Sequence, residues 1–372
     1  MKRIGITGQN GFVGKHLYNT LGLKPEKYER VIFKKEFFES EESLENFVKQ
    51  CDVIIHLAAM NRHDSQEVIY QTNIELVKKL ILALEKTNSK AQVIFSSSSQ
   101  ENKDNLYGKS KKEGRELLYQ WAEKNGGKFT GLIIPNVFGP FGKPNYNSFI
   151  ATFCHKLTHG ENPVIQQDGD ISLIYVGELV DEIIKCIDKG ISEKERIVSH
   201  TSTHKVSEVL AKLEDYKVKY FDAGEIPELK TLFDYQLFNS FRCYFDLKNY
   251  YPVKFTQHTD ARGAFVEVIR LGIGGQCSFS TTVPGVTRGN HFHTRKIERF
   301  AVIKGKAKIQ LRKIDEDEVL DFYLDGEEPA YVDMPIWYTH NITNIGTEDL
   351  YVVFWINEPF NPEDADTYFV EV

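Results

Sequence analysis

The sequence predicts two domains: a doubly wound parallel α/β sheet over residues 1–248 and an all-β barrel over 249–372. Three observations carry this expectation. The 372 residues exceed a single domain of roughly 100–200 residues. Residues 1–135 alternate short apolar runs with helical patterns, which implies βαβ units and a parallel sheet. Beyond residue 250 the helical period disappears, and short strands punctuated by Gly, Pro, Asn and Asp suggest a sandwich or barrel.

Taken in order, Arg3–Thr7 reads as a strand and Phe12–Leu21 as a helix. Val31–Phe33, Val53–Ile55, Val93–Phe95 and Leu132–Ile134 read as further strands, with helical patterns over 65–88 and 107–125. Residues 140–245 are expected to cap the sheet and hold a substrate. Helices are predicted near 146–159, 177–189 and 205–214, and strands at 163–166 and 196–199. Tyr250, Tyr251 and Pro252 read as the turn between domains. Strands follow at 264–270, 276–283, 299–304, 306–312, 319–324, 330–333 and 350–356.

Composition narrows the class. With 41% hydrophobic and 27% charged residues the chain can bury a core, so disorder is not expected. A net charge of −7 argues against a nucleic-acid partner, which would call for a basic stripe. The cysteines at 51, 154, 186, 243 and 277 are odd in number, scattered and without a C-x-x-C pair, which suits a reducing cytoplasm rather than a disulfide framework. No apolar run approaches the roughly 20 residues of a membrane span, and no signal-peptide pattern precedes the first strand.

The first chemical motif is Thr7, Gly8, Gly11, Phe12, Val13 and Gly14, directly after a strand and at the mouth of a helix. Glycines there permit a tight turn and close approach to a pyrophosphate, and the helix N-terminus offers free N–H groups to the anion. The plain alternative is a glycine-rich turn, but the strand-before, helix-after context favours a dinucleotide. After the second strand, where an NAD ribose would be met by an acidic residue, stand Lys34 and Lys35. Two cations suit a 2′-phosphate, hence NADPH, unless they are merely solvated.

Tyr107 and Lys111 share a helix face at i, i+4, so the ammonium is expected to lower the phenol's pKa for proton transfer. Alone such a pair is usually a solvated surface; beside the glycine turn it becomes a candidate catalytic pair. Ser96, Ser97, Ser98 and Ser99 end an apolar strand and could bind a carbonyl oxygen.

These residues resemble the extended short-chain dehydrogenase/reductase (SDR) family acting on nucleotide-sugars, a Rossmann-type fold. Further matches are His56, Leu57, Ala58 and Ala59; Asn73; the stretch Pro135, Asn136, Val137, Phe138, Gly139 and Pro140; and Tyr175, Val176, Gly177 and Glu178. The resemblance covers about residues 1–245. It implies that Tyr107 is the proton donor or acceptor, Lys111 its partner and Ser98 the carbonyl-binding hydroxyl. It implies that Leu57, Ala58 and Ala59 line the cofactor and that Asn136 lies near a UDP-sugar diphosphate. Two departures stand out. Ser98 and Tyr107 are unusually close in sequence, and Ile133 replaces the arginine often found three residues before the Asn. Lys143 is then the candidate phosphate contact, with Asn145 and Asn147 beside it.

The C-terminal half carries His291, His293 and Glu298 between Gly285 and Gly305, then His340 after Pro335 and before Asn344. Residues i and i+2 of a strand share a face, so both early histidines can point inward. Three imidazoles and a carboxylate make an N/O shell for a divalent metal with room for substrate oxygen. The set suits zinc, iron, manganese or nickel, with zinc the expected ion. The two segments resemble the paired motifs of the cupin superfamily. Trp337 stands where the second motif usually has Gly, so the turn before His340 is expected to be remodelled. Residues 260–267 also look like the opening strand of cupin-type sugar epimerases.

The order of the two modules resembles bifunctional enzymes of capsule and O-antigen biosynthesis. That implies C3 epimerisation of a UDP-4-keto-6-deoxy-HexNAc in the cupin, then NADPH-dependent C4 reduction to UDP-6-deoxy-L-talose-NAc, the precursor of UDP-N-acetyl-L-fucosamine. Tyr338 and Lys296 are the candidate epimerisation bases. A homodimer paired through barrel edge strands is expected. Two other readings remain open: a reductase whose barrel is a structural or dimerising module, and a non-enzymatic NADP(H)-binding regulator.

Overall fold

The computed structural model describes residues 1–260, 263–266, 268–272, 274–358 and 361–372. They form two compact units, Met1–Thr152 with Gln166–Val206, and Phe153–Ile165 with Ser207–Val372. Of the expected epimerase-like opening strand, Ala261, Arg262 and Glu267 lie outside the described residues.

The first unit is built on β1 (Lys2–Thr7), α1 (Phe12–Gly22), β2 (Tyr28–Val31), α2 (Glu41–Gln50), β3 (Val53–His56), α3 (Gln66–Lys86), β4 (Gln92–Ser98), α4 (Leu106–Asn125) and β5 (Phe129–Ile134). Next come β6 (Asn136–Phe138), α5 (Phe149–Thr158), which passes into the second unit at Phe153, β7 (Asp170–Tyr175), α6 (Val176–Lys189), β8 (Glu193–Ile197) and β9 (Ser202–Lys205). Six parallel strands lie in the order β2-β1-β3-β4-β5-β8. Strand alternation feeds two cores. Ile4, Ile6, Ile55 and Ile94 pack with Leu17, Leu179 and Ile183 of α1 and α6. Ile54, Val93 and Phe95 pack with Phe47, Val77, Leu80 and Leu118 of α2, α3 and α4. Helices therefore cover both faces, as a parallel sheet requires. The strand expected at 163–166 is absent; that stretch holds Pro163, which has no N–H for a ladder. The strand lies at β7 instead, in a small sheet ordered β6-β7-β9.

The second unit adds α7 (Val206–Tyr216), α8 (Leu232–Arg242), α9 (Leu247–Tyr250), β10 (Val253–Lys254), β11 (Gln257–Asp260), β12 (Gly263–Val266), β13 (Gln276–Thr282) and β14 (Thr287–Phe292). It ends with β15 (Glu298–Lys304), β16 (Lys306–Lys313), β17 (Val319–Asp325), β18 (Ala330–Met334), β19 (Tyr338–Asn344), β20 (Leu350–Ile356) and β21 (Tyr368–Phe369). Two antiparallel five-stranded sheets, β10-β18-β15-β20-β13 and β17-β16-β19-β14-β21, form a cupin-like β domain.

The boundary expected at 248/249 does not coincide with these units, because residues 207–248 group with the barrel. Buried polar contacts explain why. Arg242 of α8 donates to Met334 O at 2.8 Å and to the Tyr220 hydroxyl at 3.2 Å. Tyr220 in turn donates to Asp333, which also holds Arg299 at 2.7 Å. Buried charges left without such partners are strongly destabilising.

Candidate functional site

Chain order reverses between β1 and β3, and the crevice at the carboxyl ends of such neighbouring strands is where open α/β sheets bind ligands. Both cofactor motifs sit there. Gly8 has φ +78, and a Cβ on it would lie 2.9 Å from Ala58 N, so the loops after β1 and β3 meet only because residue 8 is glycine. A Cβ on Gly14 would lie 2.2 Å from Gly8 O. Gly11 caps α1 with no side chain over the helix end, leaving the first N–H groups of Phe12, Val13 and Gly14 for an anion. The Thr7 hydroxyl holds His56 Nδ1 at 2.7 Å, and Gln9 Oε1 accepts Phe33 N–H at 3.0 Å, which tethers the glycine turn to the end of β2. Lys34 and Lys35 follow directly and are exposed. This cradle fits a dinucleotide with a 2′-phosphate.

Leu57 and Ala59 share the loop after β3 with Ala58. Asn73 pins that loop: it accepts Met60 N–H at 2.7 Å and donates to Met60 O and to Ser110 of α4, both at 3.1 Å.

The structure brings Ser98, Tyr107 and Lys111 together. Among the four serines, Ser97 donates to Glu101, Ser96 donates to His56 O at 3.2 Å and Ser98 accepts Gln100 N–H at 3.2 Å, while it is Ser98 that acts on the Tyr107 phenol, favouring its ionised form. Lys111 Nζ lies 6.0 Å from the centre of the Tyr107 ring and donates to Ser96 O at 2.8 Å. The electrostatics differ from the expectation. Burial pushes the Tyr107 phenol up to about 12, Tyr146 adds to this, and only the Ser98 contact opposes it. Burial also lowers Lys111 to about 8, with Glu101 working against it. Desolvation therefore dominates at this tyrosine, and the phenol is held as a proton donor.

The short Ser98–Tyr107 spacing has a structural answer that the sequence reading missed. Residues Ser99–Asn102 wind into a 3-10 turn, and Asn105 caps α4 through Gly108 N at 2.7 Å. Glu101 in that turn accepts both Arg115 Nε and a second guanidinium N–H, each at 2.8 Å, with both residues buried. Gly131 makes room, since a Cβ there would lie 2.5 Å from Arg115 Cδ. An Arg fourteen residues after a Glu, on a helix leaving the same turn, was the available signal.

The four expected substrate contacts, Asn136, Lys143, Asn145 and Asn147, are exposed. Asn136 donates to Ser172 O at 3.2 Å, and Lys143 Nζ lies 5.4 Å over the Tyr146 ring. Tyr146 ties this loop electrostatically to Tyr107. Arg62, overlooked in the sequence, donates to Asn145 O at 2.7 Å and supplies an exposed cation where Ile133 provides none. Its place just beyond the end of β3 was the clue.

In the second unit, His291 and His340 are directly paired across β14 and β19, after a register shift between Gly289 and His291. Glu298 opens β15 of the other sheet. The candidate ligand atoms of His291, His293, Glu298 and His340 lie within 4.8 Å of one another. His293 Nδ1–H donates to Asp366 O at 2.6 Å and His340 Nδ1–H to Tyr338 O at 3.2 Å, which turns both Nε2 atoms toward Glu298 Oε2, each at 3.2 Å. His340 Nε2 is buried and makes no hydrogen bond. Burial lowers His291 to about 4, aided by His340 and His293. Imidazole nitrogens converging on a carboxylate, with their outer N–H groups already held by carbonyls, form a donor set that fits a divalent cation.

Trp337 takes φ +62, so the turn before His340 is left-handed at a residue other than glycine. Its N–H donates to His293 O at 2.8 Å and its ring stacks on Phe292, which hold a conformation otherwise costly for a bulky residue. Lys296 is buried and its ammonium donates to Ala365 O at 2.7 Å. Tyr338 is half-buried, and burial pushes its phenol up.

Two family models match the chain. Residues 4–198 match the NAD dependent epimerase/dehydratase family and residues 258–368 the polysaccharide biosynthesis C-terminal domain. A UDP-2-acetamido-2,6-beta-L-arabino-hexul-4-ose reductase from Pseudomonas aeruginosa (strain PA103) is 33% identical over 374 residues, covering 100% of this chain and 99% of that protein. The crystal structure of capsular polysaccharide assembling protein CapF from Staphylococcus aureus aligns over 100% of both chains at 34% identity with a TM-score of 0.60. RMD from Pseudomonas aeruginosa, solved with NADPH, covers 58% of this chain at 20% identity and a TM-score of 0.52, a likeness of fold. The chain therefore belongs to the NAD dependent epimerase/dehydratase family, as a CapF-like member that joins this domain to a polysaccharide biosynthesis C-terminal domain.

Proposed function

We propose that the chain is a bifunctional nucleotide-sugar enzyme. It inverts C3 of a UDP-4-keto-6-deoxy-HexNAc at the His/Glu cluster, then reduces the C4 ketone in the first unit. The product is UDP-6-deoxy-L-talose-NAc, precursor of UDP-N-acetyl-L-fucosamine. The observation that carries this reading is the presence of two separately built sites, Ser98–Tyr107–Lys111 and His291–His293–Glu298–His340, in one chain. The Pseudomonas relative, named for reduction of a UDP-linked hexul-4-ose, supports the second step.

When bound, NADPH supplies hydride to C4 and a divalent ion, expected to be zinc, supplies Lewis acidity at the carbonyl. The Gly8–Gly14 turn and α1 would hold the pyrophosphate, and Lys34 and Lys35 the 2′-phosphate. His291, His293, Glu298 and His340 would hold the metal. The C3 proton of a 4-keto sugar is acidic because its loss places charge on the carbonyl oxygen. Tyr338, two residues before His340, is the proposed proton carrier; Lys296 is engaged by Ala365 O. In the reduction, Ser98 hydrogen-bonds the C4 oxygen, Tyr107 gives it a proton and Lys111 restores the phenol's charge balance. Asn136, Lys143, Asn145 and Asn147 contact the UDP-sugar. We further propose a homodimer through edge strand β13, where Phe279 is 71% exposed.

NMR of the product formed in D₂O from a UDP-4-keto-6-deoxy-HexNAc tests the whole reading. Without NADPH, deuterium should enter at C3; with NADPH, the reduced C3-inverted sugar should appear. Reduction with retained C3 configuration and no deuterium would leave a reductase alone.

A further inference from the structure

Asp366 is buried and takes φ +43, a left-handed conformation that Asp tolerates. Its carboxylate sits in a nest of three consecutive backbone N–H groups. It accepts Thr294 N–H at 3.1 Å, Arg295 N–H at 3.0 Å and Lys296 N–H at 3.2 Å, together with the Thr294 hydroxyl at 2.6 Å. Such nests bind anions, and here the anion is supplied by the chain itself. The same residue's carbonyl accepts His293 Nδ1–H at 2.6 Å.

Asp366 thus holds the turn 294–296 and the ring of His293 at once, and that turn joins His293 to Glu298. Neighbouring contacts add to the clamp. Arg295 pairs with Asp364 at 2.8 Å, Lys296 donates to Ala365 O at 2.7 Å, and β21 pairs with β14 across His291 and Phe369. A carbonyl can only accept, so Nδ1 must carry the proton and Nε2 becomes the nitrogen available at Glu298. Because the acceptor is main chain, its position is set by the carboxylate's four bonds to the turn.

We propose that Asp366 is a positioning residue for the metal centre: through its carboxylate nest it fixes the orientation and tautomer of His293 and the spacing from His293 to Glu298. This rests on the reading of the cluster as a metal site. Partners that orient metal-bound histidines commonly contribute about 10–100-fold in metal affinity.

The test is zinc affinity of the full-length protein, measured by competition with a chromophoric chelator, for wild type, D366A, D366N and T294V. NADPH binding is followed in parallel by fluorescence. Zinc affinity should fall about 10–100-fold in D366A, less in D366N, which keeps one acceptor oxygen, and least in T294V, with NADPH affinity unchanged. T294V keeps the proposal testable should D366A not fold. A lower melting temperature with zinc affinity within twofold of wild type would overturn it, since that is what a purely structural clamp gives. Stoichiometric zinc in the wild type, lost in H291A/H293A, secures the metal site separately. If the wild type binds no zinc, both readings fall.

Discussion

The two candidate sites are assembled from different distances along the chain. Ser98, Tyr107 and Lys111 lie within one strand–turn–helix unit, braced by the Lys111–Ser96 and Arg115–Glu101 hydrogen bonds. His291, His293, Glu298 and His340 come from three strands in two sheets, and their nitrogens converge on a carboxylate with one of them left without a hydrogen bond. The first site is a proton donor set by burial. The second is a donor set whose geometry fits a divalent cation. A helical site can be built locally because i and i+4 meet by geometry, whereas a strand site depends on register, here adjusted between Gly289 and His291.

The largest effect that would sharpen this contrast is on the reduction. Tyr107→Phe should lower NADPH-dependent reduction by roughly 10²–10⁴-fold, the range for a lost general acid, while zinc affinity stays at the wild-type value. Single-turnover absorbance at 340 nm reports the first and chelator competition the second.

Next in size is the brace under the first site. Arg115→Met leaves Glu101 charged and buried and should cost about 3–5 kcal/mol, whereas replacing both partners by R115M/E101Q should cost less than R115M alone. Denaturant unfolding of the three proteins checks this. Equal losses would show that Glu101 is already neutral or solvated.

The smallest effect is a pH dependence. Reduction should decline as pH rises through about 8, where burial places Lys111. Tyr107, pushed to about 12, remains protonated across that range, so the fall belongs to the lysine. The sign for stability is opposite. Lys111 binds its proton more weakly folded than unfolded, so stability should rise between about 8 and 10.5 as the burial penalty on its charge is lifted. A flat rate profile from pH 7 to 9.5 would separate Lys111 from the proton-transfer step.

Much of this was legible in the sequence, and what was missed has a common cause. Gly8, Gly11, Gly14, Tyr107, Lys111, His291, His293 and Glu298 stand at spacings that chemistry imposes on neighbouring positions, and His340 follows from the resemblance of its segment to a second paired motif. Long-range partners leave no such period. Asp366 lies 73 positions from the histidine it holds, and Arg62 lies 83 from the Asn145 carbonyl it meets. Helix α8 went unread because it is rich in aromatic residues and reads as neither a surface helix nor a strand; its start was signalled only by the Thr231–Asp234 capping box. Trp337 shows that a left-handed turn can form at a bulky residue where stacking and a backbone hydrogen bond offset the strain.

In the proposed function, proton exchange at C3 and hydride transfer at C4 use separate residues. Deuterium uptake at C3 of a UDP-4-keto-6-deoxy-HexNAc in D₂O, without NADPH, tests it most directly in wild type, Y107F and H291A/H293A. Uptake should stay at the wild-type rate in Y107F and fall by at least about three orders of magnitude in H291A/H293A, as expected when several kcal/mol of charge stabilisation are removed. Undiminished uptake in H291A/H293A freed of metal, or its loss in Y107F, would contradict it.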